Sequence, residues 1–123
     1  AAWEKLVQAL QAEDPGTMRA MLAPDLHYTG DRPVGKGDQA QALGALGEFW
    51  DQVDRVKVAT QQNDIKVQGA VASNLASTVL RFSWGSQIAV YRVRVQVAWT
   101  PDGDGWRARQ IDVLEMTPGL FGG

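Results

Sequence analysis

The sequence lacks cysteine and contains a single histidine, His27. Disulfides, thiol nucleophiles and the usual zinc sites are therefore excluded, and we expect neither a metal nor a cofactor. No apolar run approaches the roughly 20 residues of a membrane-spanning helix, so we expect no membrane span. Lysine and arginine form no cluster and the formal net charge is -2, so we expect no nucleic-acid partner.

The residues that are present suit one domain. The chain has 123 residues, of which 45% are hydrophobic, enough for a single core. We predict one domain over residues 1–117 and a loose C-terminal tail over residues 118–123. A cytoplasmic location is the first expectation. A processed secreted or periplasmic form is the alternative, because the chain begins with Ala1 instead of methionine.

Helical periodicity dominates the first half of the chain. An amphipathic first helix is indicated by apolar residues spaced i, i+3, i+4, i+7, namely Trp3, Leu6, Val7 and Leu10. Asp14 followed by Pro15 predicts the start of a short second helix. A short strand is predicted over Leu26 to Thr29, and Asp38 is predicted to cap a third helix.

After Asp54 the period changes to that of strands. The predicted inward-facing positions have even numbers at Val56, Val58 and Thr60 but odd numbers at Ile65 and Val67. This change of phase predicts a bulge or bend within residues 61–64. Further strands are predicted over residues 71–84, 87–99 and 106–116. We therefore predict an α+β fold, in which three N-terminal helices pack on a curved, mostly antiparallel sheet and leave a cavity at its wide end.

Asp112 is the most informative polar residue. In the last predicted strand it alternates in phase with Trp106, Ala108, Leu114 and Met116, so Gln110 and Asp112 are predicted to face inward. A buried carboxylate costs free energy unless it is paired, hydrogen-bonded or protonated. The pattern predicts that Asp112 belongs to a polar pocket in an otherwise apolar interior. The alternative is a carboxylate that hydrogen-bonds to neighbouring strands or faces solvent beyond a bulge.

Four aromatic residues complete the predicted ligand pocket. Tyr28 shares its parity with Leu26 and is expected to point inward. Trp50, Trp84 and Trp99 are expected near the cavity, together with Gln110 and Asp112 described above. His27 has the opposite parity to Tyr28, which predicts a position on the outer face of the sheet.

The order of these elements resembles the nuclear-transport-factor-2-like superfamily, which includes ketosteroid isomerases and SnoaL-like polyketide cyclases. The stretches that carry the resemblance are residues 7–14 running into residues 21–26, Val34-Gly35-Lys36-Gly37, and residues 99–113. The resemblance implies a cone-shaped α+β fold with an apolar pocket, and often a homodimer through the outer sheet face. It implies no single function, because one fold can carry many activities.

Most catalytic sets of the resembling enzymes are incomplete in this chain. Ketosteroid isomerase needs a tyrosine, an aspartate base and a protonated aspartate, but the first two positions fall on Leu6 and Gly30, with Asp31 one residue away. Limonene-epoxide hydrolase would need an acid at Gln96, and scytalone dehydratase a second histidine. The Ile111-Asp112-Val113 segment resembles that of SnoaL-like cyclases, in which the aspartate acts as general acid/base.

Three functions remain open from the sequence. The first is binding of a small hydrophobic molecule without catalysis, since the pocket lining is apolar and the catalytic sets are incomplete. The second is an isomerase, cyclase or lyase that uses Asp112 as its catalytic residue without a metal or organic cofactor. The third is a dimerisation or interaction domain of a larger protein, favoured by an outward-facing Ile111 and Val113 pair.

Overall fold

The computed structural model describes residues 2–30, 35–103 and 105–119. In these ranges the chain forms three helices and five strands, in the order α1 Ala2–Gln11, α2 Pro15–Met21, β1 Leu22–Gly30, α3 Gln39–Gln52, β2 Arg55–Gln68, β3 Val71–Trp84, β4 Gln87–Asp102 and β5 Gly105–Pro118. The predicted α+β fold, with helices packed on a curved, mostly antiparallel sheet, is confirmed. No helix among the described residues is long and apolar enough to cross a membrane.

The second and third helices begin where the sequence predicts, and side-chain hydrogen bonds cap the start of each. The Asp14 carboxylate accepts the backbone N–H of Thr17 at 3.1 Å, and Pro15 occupies the first turn of α2. Asp38 accepts the N–H of Gln41 at 2.9 Å, while the Gln41 side chain accepts the N–H of Asp38 at 3.0 Å. This reciprocal capping box satisfies two amides that have no partner within the helix.

The five strands form one sheet in the order β1-β5-β4-β3-β2. β1 runs parallel to β5, and every other neighbouring pair is antiparallel. The β2–β3 register shifts between Thr60 and Gln62, which confirms the bulge predicted within residues 61–64. We call the face of the sheet that packs on the helices the inner face, and the opposite one the outer face.

Two further irregularities in β5 reverse the predicted direction of its side chains. The register against β4 shifts at Arg109 and again at Leu114, so each residue is an extra one on the β5 side. An extra residue reverses the alternation of side chains beyond it. The inner face therefore receives Ala108, Ile111, Val113 and Met116. The predicted inward phase of Gln110 and Asp112 is wrong, because it assumed an uninterrupted strand.

The buried core includes a polar chain that crosses three strands. The Trp99 indole N–H donates to the Asn74 side-chain oxygen at 2.7 Å, and the Asn74 amide donates to the Asn63 side-chain oxygen at 2.8 Å. Trp99 and Asn74 are both buried. Buried polar groups are costly unless hydrogen-bonded, so this chain allows an indole to lie in the apolar interior.

The ordered structure continues into the predicted C-terminal tail. β5 ends at Pro118, and the backbone N–H of Gly119 donates to the carbonyl of Val90 at 2.7 Å. Residues 118 and 119 of the predicted tail are thus held by the sheet, while residues 120–123 lie outside the described residues.

Candidate ligand-binding cavity

An apolar cavity of about 490 Å³ lies between the helices and the inner face of the sheet. The helices contribute Trp3, Leu6, Val7, Leu10, Met18, Ala42, Ala45, Leu46 and Phe49. The strands contribute Leu22, Leu26, Tyr28, Val58, Thr78, Leu80, Phe82, Tyr91, Val93, Val95, Val97, Ile111, Val113 and Met116. None of these described lining residues carries a charge, so the wall offers no partner for an ionised group.

Some of the few polar side chains that line the cavity already form hydrogen bonds within the protein. Thr78 donates its hydroxyl to a backbone carbonyl at 3.0 Å, and the Trp3 indole N–H donates to the Thr60 hydroxyl at 3.0 Å. The remaining polar side-chain atoms on the wall are the hydroxyls of Tyr28 and Tyr91, and neither hydrogen-bonds to another described residue. These two hydroxyls are therefore available to a bound molecule.

Aromatic rings form a continuous part of the wall. The Phe49 and Phe82 rings meet edge to face with their centroids 5.0 Å apart, and Tyr91 stacks on Phe82 at 5.9 Å. Trp84 stacks against Phe82 at 5.6 Å and is 39% exposed. Edge-to-face and offset-stacked pairs are the favoured arrangements of aromatic rings, so the cluster presents a preorganised aromatic surface.

Tyr28 is held at the cavity by a close backbone approach. Tyr28 and Gly37 each donate their backbone N–H to the other's carbonyl, at 2.9 and 3.1 Å. A Cβ atom at Gly37 would lie only 2.7 Å from the Tyr28 hydroxyl and 2.6 Å from the Gln41 side-chain oxygen. Glycine at this position thus lets the Tyr28 ring lie directly against the segment that begins α3.

Asp112 lies on the outer face, across the sheet from the cavity. Its carboxylate accepts the Thr29 hydroxyl at 2.8 Å and the Gln110 side-chain amide at 3.0 Å. Its sequence neighbours Ile111 and Val113 line the cavity instead, which corrects the prediction that they face outward. The catalytic role of Asp112 stays a prediction, but its carboxylate and Gln110 do not enter the cavity.

The three tryptophans predicted near the pocket also lie off its wall. Trp50 is buried, and its indole N–H donates to the Leu10 carbonyl at 3.1 Å. Trp99 continues the inward stripe of β4 beyond the cavity, where Asn74 accepts its indole N–H. Trp84 reaches only the aromatic cluster. The sequence indicated that these rings lie close to the core, but burial alone does not distinguish a cavity wall from filled interior.

Tyr28 is thus the one residue of the predicted pocket that lines this apolar cavity, while Trp99 and Gln110 line a separate, more polar groove of about 560 Å³. The sequence predicts most of the other lining residues only as members of the apolar faces of helices and strands, and it does not show that they surround a cavity. His27 is exposed on the outer face. No group of three or more histidine, aspartate or glutamate residues in the described ranges is arranged to hold a metal ion.

No known family model matches the chain, and no curated protein sequence matches it. Solved structures do match. A conserved protein from Planctomyces limnophilus has a TM-score of 0.86 at 11% identity, over 96% of this chain and 92% of that one. A nuclear-transport-factor-2-like protein from Cytophaga hutchinsonii has a TM-score of 0.77 at 14% identity, over 96% and 93%.

A hexachlorocyclohexane dehydrochlorinase, LinA-type3 from Novosphingobium barchaimii, has a TM-score of 0.78 at 10% identity, over 97% of this chain and 86% of that one. At such low identity these similarities establish the fold alone. The chain has the nuclear-transport-factor-2-like fold, and the resemblance found in the sequence is confirmed at that level.

Proposed function

We propose that this domain binds a small, uncharged and largely apolar molecule in the cavity. The observation that carries the proposal is the absence of any charged side chain among the described residues that line about 490 Å³ of space. This volume is within the range of about 300–1,000 Å³ typical of small-molecule sites. An ionised ligand would lose its hydration on entry without gaining a partner, so the cavity selects against charge.

The aromatic cluster and the two hydroxyls narrow the class of ligand. Phe49, Phe82 and Tyr91 offer ring edges and faces, which favours a ligand that contains a ring. The Tyr28 and Tyr91 hydroxyls can each donate or accept one hydrogen bond. A cyclic molecule with one or two neutral oxygen atoms, such as an alcohol or a ketone, would use both features.

Catalysis by Asp112 on a molecule in this cavity is not supported. A general base has to come within hydrogen-bonding distance, roughly 3 Å, of the proton that it abstracts or of a bridging water. The Asp112 carboxylate is on the outer face with Thr29 and Gln110, while Ile111 and Val113 face the cavity. Binding without chemistry is therefore the function that the geometry favours.

A pair of fluorescent probes with closely related ring systems tests the proposal. N-phenyl-1-naphthylamine is neutral, whereas 1-anilinonaphthalene-8-sulfonate adds a sulfonate to the same frame. We expect saturable binding of the neutral probe at one site per chain. The anionic probe is expected to bind at least about tenfold more weakly, because no cation among the described lining residues offsets its desolvation.

Competition defines the natural ligand class in the same assay. Neutral cyclic alcohols and ketones are expected to displace the neutral probe, and their carboxylate analogues to do so poorly. Equal affinity for both probes would contradict an uncharged site. A neutral probe that fails to saturate would mean that the cavity does not accept ligands of this size.

A further inference from the structure

One half of strand β2 is an open sheet edge. β2 is the last strand of the sheet, and near α1 its edge is closed because the backbone N–H of Val58 donates to the Gln11 side chain at 2.7 Å. Beyond the bulge the edge has no such cover among the described residues. Ile65 is 57% exposed and Val67 is 64% exposed, although both are apolar.

The backbone of this half points its hydrogen-bonding groups away from the sheet. Along a strand, residues whose side chains share one face of the sheet also point their backbone N–H and C=O groups to the same edge of the strand. Val58 faces inward and points its N–H to the edge. Asn63, Ile65 and Val67 pair with inward-facing β3 residues beyond the bulge, so their N–H and C=O groups also point to the open edge.

The charge pattern of this edge is complementary to itself. If two copies pair antiparallel about a two-fold axis at Ile65, each Asp64 lies opposite Lys66 of the other copy. Asp64 and Lys66 are exposed on the outer face, and neither has an ion pair with another described residue. The Gln62 amide donates to the Asp64 carboxylate at 3.1 Å, which leaves the second carboxylate oxygen for the lysine.

We propose that two copies of this chain associate through the open edge, with residues 62–68 of β2 paired antiparallel around Ile65. The pairing joins two sheets into one, satisfies the open backbone groups and brings two exposed isoleucines together. Opposite charges directly across a strand pair stabilise it, and like charges destabilise it. The segment is short, so the association is expected to be concentration-dependent and in about the micromolar range.

Charge reversal with sedimentation equilibrium tests the register of the pairing. Asp64→Lys alone and Lys66→Glu alone each place like charges opposite one another, and each should weaken the dimer at least about tenfold. The double variant restores opposite charges and should recover wild-type affinity. A mixture of the two single variants should form heterodimers, because each then supplies the charge that the other needs.

Two more variants separate this edge from an interface on the outer sheet face. Ile65→Lys changes only an exposed inner-face position at the edge and should abolish the dimer. Arg94→Glu lies on the outer face of β4, away from the edge, and should leave the dimer intact. Circular dichroism and binding of N-phenyl-1-naphthylamine to each variant verify that the fold and cavity are unchanged.

Three results would overturn the proposal. One is a wild-type chain that stays monomeric at the highest concentration that remains soluble. Another is a dimer that the single charge reversals do not weaken, or that the double variant does not restore. The third is a dimer that Arg94→Glu dissociates and Ile65→Lys preserves, which would assign the interface to the outer face.

Discussion

Replacing Ala42 by phenylalanine tests whether the cavity is open in solution. Ala42 is a half-buried residue of α3 whose side chain lines the cavity. The larger ring would occupy the space that a ligand needs. In an open cavity the ring finds room, whereas in a filled core it would force neighbouring side chains out of their rotamers. The sign of the stability change therefore distinguishes the two cases.

The expected size of the change follows from burial of the ring. Burying a phenylalanine side chain that would otherwise be exposed contributes about 1.5–3 kcal/mol. Its lower helix propensity and the loss of side-chain freedom remove part of that gain. We expect a net stabilisation of about 1 kcal/mol, which raises the Tm of a domain of this size by roughly 4 °C.

Thermal unfolding and probe titration are measured on the same protein. Ala42→Phe should raise the Tm and abolish saturable binding of N-phenyl-1-naphthylamine. The matched control is Ala40→Phe, since Ala40 is an exposed residue of the same helix that does not line the cavity. This control should lose a few tenths of a kcal/mol through helix propensity and bind the probe normally.

A fall in Tm for Ala42→Phe would refute the reasoning. Overpacking of a filled core costs about 1–3 kcal/mol, which would lower the Tm by several degrees. Retention of probe binding by a stabilised variant would equally refute it, because the probe would then occupy another site.

Three further predictions rest on individual contacts. Asp112→Asn should change the affinity for the neutral probe by less than about twofold, because the carboxylate is across the sheet; a tenfold loss on titration would contradict this. Asn74→Leu should destabilise the fold by about 1–3 kcal/mol in urea unfolding, since the buried Trp99 indole loses its acceptor; an unchanged midpoint would contradict this. The hydrogen bond from the Thr17 hydroxyl lowers the pKa of Asp14, so Thr17→Val should raise that pKa in an NMR titration. Because the pKa of Asp14 is lower in the folded than in the unfolded state, this hydrogen bond stabilises the fold at pH values above the unfolded-state pKa. The stabilisation is lost as the pH falls through the folded-state pKa. An unchanged pKa of Asp14 in the Thr17→Val variant would contradict the assignment.

The accuracy of sequence reasoning differed between strands β2 and β5 for a physical reason. In β2 the apolar residues Val56 and Val58 have one parity and Ile65 and Val67 the other, so the bulge between them is visible in the pattern. In β5 both parities carry apolar residues: Ile111 and Val113 have odd numbers, whereas Met116 has an even number. The pattern alone therefore does not show which parity faces inward. The direction of each side chain then depends on the register against β4, which is a tertiary property.

The contents of the pocket were harder to predict than the fold. Helix caps such as Asp14 and Asp38 act over a few residues, so short-range sequence patterns identify them. A cavity is space that side chains leave unfilled, and no local pattern reports it. Trp50 and Trp99 are as buried as many residues of the wall, yet neither lines the cavity. The indole N–H of each donates to an acceptor within the protein instead.

The two bulges of β5 determine what the cavity can bind. The first, at Arg109, reverses the alternation and turns Gln110 and Asp112 to the outer face; the second, at Leu114, reverses it again before Met116. A strand without them would direct an amide and a carboxylate into the space now lined by Ile111 and Val113. The neutrality of the cavity is thus a consequence of backbone register. The extra residue at Arg109 is what turns away from the cavity the two polar side chains that the sequence pattern places in it.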